Sequence, residues 1–308
     1  MEFSYIPVIE PLNIKMYTLR REKITPEGKE IWEHVHHATL FETEEQALEH
    51  MKKLNDPDLF VSPIYIRTRK ESDIPKEISE LQYLLPIEDE IEINPNYIEE
   101  VQNDIKKVFR EMVIDWVFQN IRSFKLLPET KFLAIQCFDR FLSKKPINRQ
   151  KLQALLIACF MIAGKLEEVY PPDLEDWIRL TAVETTTAEL VKFEEIVLNT
   201  LNWKLNFPTS FTFFKAIADE IGLSKEDSQW KSGYKYLEVS VMLYSLLEYK
   251  PSDIAIACLI LGTTNDEELY LRLKNYLIDN KLQINTEIIE TIEERYPRIV
   301  NKYKYFKE

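Results

Sequence analysis

The chain is 308 residues long, 45% hydrophobic and 30% charged, with 5 Gly against 15 Pro, which excludes collagenous and low-complexity chains. Its 39 Lys and Arg against 52 Asp and Glu give a formal charge of -13. That balance opposes a broad grip on nucleic-acid phosphates or anionic lipid and points to protein partners.

Three single cysteines in apolar runs (Cys137, Cys159, Cys258) form neither a disulfide framework nor a zinc ligand set, so core positions in a reducing, intracellular compartment are expected. The N-terminus lacks a signal-peptide pattern, and no run of about 18 apolar residues occurs, so the expectation is a soluble chain that is not exported. The five glycines lie at least eleven positions apart, which removes phosphate-binding and dinucleotide-binding glycine loops.

In chain order, Ile14, Met16, Thr18 and Arg20 alternate with Lys15, Tyr17 and Leu19, and a second stretch runs from Ile31 to Phe41; both predict strands. Thr43 and Gln46 form a capping box for a short helix with Ala47, Leu48, Met51 and Leu54, and Leu59 to Arg67 returns as a strand. Residues 1–75 therefore read as a small α/β (ββαβ) module. The acidic stretch around Pro75 and Pro86 predicts a linker or strap over residues 76–93, with little room for a regular element.

Helical periodicity begins at Asn94-Pro95, and Ile98, Val101, Ile105, Val108, Met112 and Trp116 predict one long amphipathic helix. Pro128 starts a second, carrying Phe132 to Leu142, and Asn148 caps a third. From Leu152 to Ala163 that third helix is apolar nearly all round, as befits the hub of a bundle. Asp173 to Leu180 predicts a short helix, and Thr186 with Glu189 a capping box for a fifth that runs to Leu201. Helices are then expected over Phe211–Ile221, from about Gln229 to Tyr249, and after Pro251. There Ile256 to Gly262 echoes Ile157 to Gly164, a degenerate repeat of roughly 100 residues. The fold class is mainly α: two tandem five-helix bundles, 94–207 and 208–308, behind the small module.

Four strings in order resemble the cyclin box: Phe109 to Val117 (FREMVIDWV), Phe138 to Ser143 (FDRFLS), Lys151 to Gln153 (KLQ) and Ala163 to Pro172 (AGKLEEVYPP). The resemblance covers about 94–207, with a looser match from 208 to 308. It implies a non-catalytic subunit that binds and activates a cyclin-dependent protein kinase in the nucleus or cytoplasm, without cofactor or metal, nucleic acid or membrane.

Arg110 and Asp139 lie on apolar helices where each charge needs a partner, and the resemblance implies an interhelical structural ion pair. It also places Lys165 beside Glu194 to grip the backbone of the kinase's regulatory helix; an intramolecular salt bridge at a bundle edge is the other reading of the two residues. Leu166, Glu167, Glu168 and Trp203 would flank that site, with Trp203 alternatively closing the gap between bundles. Leu166 replaces a common aromatic and Gly164 a serine. A second surface, an apolar groove for substrates or inhibitors with Arg-x-Leu motifs, would use Phe109, Met112, Val113, Trp116, Gln119, Leu152 and Gln153. Here Phe109 replaces a methionine and Gln119 an acid, and Met112, Val113 and Trp116 also fit a core stripe.

A basal transcription factor of the factor B type would share the architecture, but it carries basic groove-facing helices and a zinc ribbon, which this acidic chain does not. No nucleophile, metal or phosphate constellation suggests an enzyme. His34, His36, His37 and His50, without neighbouring cysteines, read as a solvated face.

Overall fold

A computed structural model describes residues 12–24, 30–34, 44–54, 59–68, 79–180 and 185–302. The chain divides into two compact units, 1–78 and 79–308. In the first, β1 (Leu12–Ile24), β2 (Glu30–His34), α1 (Glu44–Leu54) and β3 (Leu59–Thr68) occur in that order. The strands form an antiparallel sheet ordered β2-β1-β3, with Arg20 opposite His34 and Leu12 opposite Thr68. Thr43 of the expected capping box, His36, His37, residues 35–41 of the second expected strand and residues 71–78 lie outside the described residues.

The second unit is helical: α2 (Glu80–Glu88), α3 (Tyr97–Glu100), α4 (Lys107–Asn120), α5 (Pro128–Leu142), α6 (Leu152–Glu167), α7 (Leu174–Leu180) and α8 (Thr187–Thr200) come first. Then follow α9 (Ser210–Glu220), α10 (Ser228–Ser240), α11 (Pro251–Thr263), α12 (Glu267–Asp279) and α13 (Thr286–Lys302). α6 packs on α4, α5, α7 and α8, and α11 packs on α9, α10, α12 and α13. Both hubs are buried almost all round, because each is enclosed by four neighbours.

Three expectations need correction. The acidic linker contains a helix, α2, started by the Ser79 side chain, which accepts from the Gln82 amide. The long helix from Asn94 is two pieces, because buried Gln102 turns its side chain to the Leu142 carbonyl at 2.6 Å, the Lys145 carbonyl at 2.8 Å and the Ile147 amide at 3.1 Å. Satisfying the end of α5 draws residues 101–106 out of helix. The helix expected to reach Tyr249 stops at Ser240 and resumes as a 3-10 turn over Tyr244–Glu248. There the Met242 carbonyl accepts from Arg110 Nη1 at 3.2 Å, and the Tyr244 hydroxyl accepts from the Ile98 amide at 3.0 Å.

Two helices share a further device. α5 and α11 each begin with proline, behind Leu127 and Lys250, neither of which caps through its side chain. The missing acceptor comes from a distant glutamate. Glu168 accepts from the Leu127 amide at 2.7 Å and the Thr130 hydroxyl at 2.6 Å, and Glu88 from the Ser252 amide at 3.1 Å and its hydroxyl at 2.7 Å.

Candidate functional site

The C-terminal end of α6 opens into a groove of about 740 Å³, whose walls include Lys165, Leu166, Glu194 and Trp203, with Lys204 and Phe207 beside them. Lys165 reaches the groove because α6 runs one turn beyond its buried stretch, and a cation there also suits the helix dipole. Its Nζ donates to Glu194 Oε1 of α8 in a tight ion pair, with the lysine 56% and the glutamate 13% exposed. The recessed carboxylate holds the ammonium, whose other two N–H donors remain for a ligand carbonyl. An ion pair this exposed adds little to stability.

Trp203 is presented by a strained turn. Asn202 and Trp203 have φ of 53° and 59°, a left-handed conformation that costs a bulky residue about 1–2 kcal/mol. The turn is held by the Trp203 amide donating to the Leu198 carbonyl at 2.9 Å and by Trp203 Nε1 donating to Asn199 Oδ1 at 3.3 Å. The ring stays 67% exposed, so Trp203 does not merely close a gap. Below it, buried Arg140 of α5 donates to the Lys204 carbonyl at 2.8 Å and lies 4.4 Å from the Phe207 ring centre, fixing the groove floor. Neither Arg140 nor the 204–207 segment was singled out from the sequence.

Glu167 and Glu168 do not line this groove. Glu168 is the N-terminal acceptor of α5, and Glu167 is half-buried near Glu129 and Lys215. Burial, then the neighbouring carboxylates Glu129 and Glu168, push the Glu167 pKa up.

Arg110 and Asp139 meet in the core through Nε–Oδ1 and Nη2–Oδ2 contacts, each 2.7 Å, with side chains 1% and 3% exposed. The Tyr97 hydroxyl also donates to Asp139 Oδ1 at 2.8 Å. Burial alone opposes the charge on Arg110, but the Asp139 carboxylate more than offsets it and the pKa is raised. Since Arg110 also holds Met242, the pair ties the two helical sets together.

The residues of the second surface are divided. Val113 and Leu152 are 5% and 3% exposed and belong to the core, a correction that follows from their facing the bundle interior. Phe109 and Trp116 are half-buried against that core, and Met112 is 53% exposed. The Arg149 guanidinium already lies 3.8 Å from the Phe109 ring centre. Gln119 donates to Asp115 Oδ2 at 2.7 Å, so an acidic group stands one turn before the position where a carboxylate was sought. Gln153 Oε1 is buried without a donor among the described residues.

Cys137, Cys159 and Cys258 are buried free thiols, and burial pushes Cys137 up to about 12. Among the described residues no cluster of His, Cys, Asp and Glu could hold a metal ion, and no helix is long and apolar enough to cross a membrane.

A paired helical scaffold that presents an ion pair and an exposed tryptophan around a groove has the features of a protein-binding module. Residues 79–206 match the family description "Cyclin, N-terminal domain". The chain is 34% identical over 219 residues to the G2/mitotic-specific cyclin C13-1 of Daucus carota, covering 68% of this chain and 59% of that protein. It is 34% identical over 183 residues to the G2/mitotic-specific cyclin-B of Arbacia punctulata, covering 59% of this chain and 44% of that protein. Thus the chain spans less than two thirds of the relatives it matches. The solved structure of a viral cyclin from herpesvirus saimiri superposes with a TM-score of 0.63 at 19% identity, covering 74% of this chain and 99% of that one, and shares the fold. The chain belongs to the cyclin family.

Proposed function

We propose that the protein is the non-catalytic regulatory subunit of a cyclin-dependent serine/threonine kinase in cell-cycle control, and that the groove at the end of α6 receives the kinase's regulatory helix. The observation that carries the reading is the Lys165–Glu194 pair beside exposed Leu166 and Trp203, a charged grip with apolar anchors in one groove. Activation follows if the groove binds the active arrangement of that helix more tightly than the inactive one; the differential affinity does the work and the chemistry stays in the kinase. Glu168 contributes indirectly, by tying the start of α5 to the end of α6 that carries Lys165.

Lys165→Glu and Glu194→Lys, assayed against a panel of purified cyclin-dependent kinases, should each abolish binding while melting and helical circular dichroism stay at wild type. Normal binding by both variants would refute the proposal.

Docking of Arg-x-Leu substrates or inhibitors is the second part of the proposal. Its supports are exposed Met112, the Asp115–Gln119 pair and the donor-less Gln153 acceptor, with Phe109 and Trp116 as half-buried walls and Val113 and Leu152 beneath them. A substrate arginine would displace Arg149 from Phe109. We further read residues 1–75 as a separate α/β module and 94–207 and 208–308 as the two cyclin folds, in a protein of the nucleus or cytoplasm.

A further inference from the structure

Charges sit at the wrong pole of α2. Its C-terminal end carries Glu88 and Asp89, where carboxylates oppose the helix dipole, and Pro86 removes one hydrogen bond from the last turn. The same two acids stand at the right pole of another helix. Glu88 accepts from the Ser252 amide and hydroxyl in the first turn of α11, and Lys250 Nζ donates to Asp89 Oδ1 at 2.6 Å. Glu88 is 4% and Ser252 3% exposed, so a buried carboxylate and an otherwise uncapped helix start satisfy each other. On either side of these acids, Ile87 and Glu90 line the groove that holds Lys165, Glu194 and Trp203.

We infer that Glu88 is a positioning residue for kinase binding: its bond to Ser252 latches α2 in place, so that the second helical set fixes one wall of a groove otherwise built from the first. The inference rests on that groove being the kinase-binding surface. Glu88 itself makes no kinase contact; it acts by keeping the last turn of α2 docked. When the latch opens, the fraction of molecules with a complete groove falls, and apparent affinity falls by that fraction.

The test uses the full chain with a kinase it binds, in a double-mutant cycle of Glu88→Ala and Ser252→Ala. Each single variant should weaken affinity roughly ten- to a hundredfold, and the pair no more than the stronger single variant. Amide exchange across Leu84–Glu88 should rise in both while α6 and α8 stay protected, a readout that general loss of stability would not reproduce. Ser252→Ala removes one hydroxyl that is not part of the groove lining and keeps the cycle informative if Glu88→Ala folds poorly. Wild-type affinity and wild-type α2 exchange in Ser252→Ala, with Lys165→Glu still abolishing binding, would overturn the latch. Normal binding by Lys165→Glu would instead overturn the groove reading and with it the kinase part of the inference, whatever the exchange at α2.

Discussion

The hub helices α6 and α11 are alike in the middle and different at the end. Ile157 to Gly164 and Ile256 to Gly262 are buried runs, and each glycine admits a neighbour. A Cβ on Gly262 would meet the Gln229 carbonyl and the Gly233 backbone at 2.7 Å, whereas one on Gly164 would find nothing nearer than Trp177 at 3.7 Å. Past Gly262 the buried Thr263 bonds back to the Leu259 carbonyl at 2.9 Å, and Asp266 caps α12. Past Gly164 come Lys165 and Leu166, both exposed, at the mouth of the groove. The two copies keep the same core and diverge at one helix end, and the proposed kinase grip lies in that divergence.

The largest expected effect breaks what the two sets share. Asp139→Ala leaves Arg110 charged, buried and unpaired and removes the acceptor of Tyr97, so urea denaturation should show a loss of about 3–5 kcal/mol in one cooperative transition. A loss below about 1 kcal/mol would mean that the Arg110–Asp139 pair does not hold the helical sets together. Smaller, and directed at the hubs, Gly262→Ala should cost about 1–3 kcal/mol through overpacking, and Gly164→Ala should be neutral or stabilise by up to about 1 kcal/mol. Equal losses would mean that the two ends are packed alike.

Removing the distant cap of α5 with Glu168→Ala should cost about 1 kcal/mol, with proteolysis near Leu127 as a local readout. The smallest effect concerns pH. Burial raises the Glu88 pKa above the ordinary glutamate value of 4.5, despite the opposing bonds from Ser252. The folded state therefore binds this proton more tightly than the unfolded one: the stabilisation is present below 4.5 and is lost as pH rises through the raised value. Urea midpoints measured upward from about pH 4 should show that step in wild type and lack it in Glu88→Gln.

Much of the helical architecture was legible because apolar periodicity reports which face is buried, and α6 and α11 could be paired by their repeated core. The unread parts have one physical origin: a buried polar side chain from elsewhere decides what the backbone does. Gln102 interrupts a periodic run that sequence continues through, and Arg110 and Tyr244 end α10 early. α2 was hidden by Pro86 and its acids, which make sense only against the start of α11. At the candidate site, Lys165 and Leu166 belong to a cyclin-box string, Glu194 and Trp203 follow from the resemblance that the strings carry, and the four converge in one groove. Glu167 and Glu168 came with the same string, but a helix turns successive residues to different faces. Val113 and Leu152 entered through the family resemblance, and a string match does not tell a groove floor from a core.

The most direct test of the central claim is amide exchange on the full chain alone and mixed with a purified cyclin-dependent kinase. The divergence of the two hubs predicts new protection at the end of α6, along α8 and over residues 203–207, with the end of α11 unchanged. Protection confined to α11 and its neighbours, with none around Lys165, would contradict it.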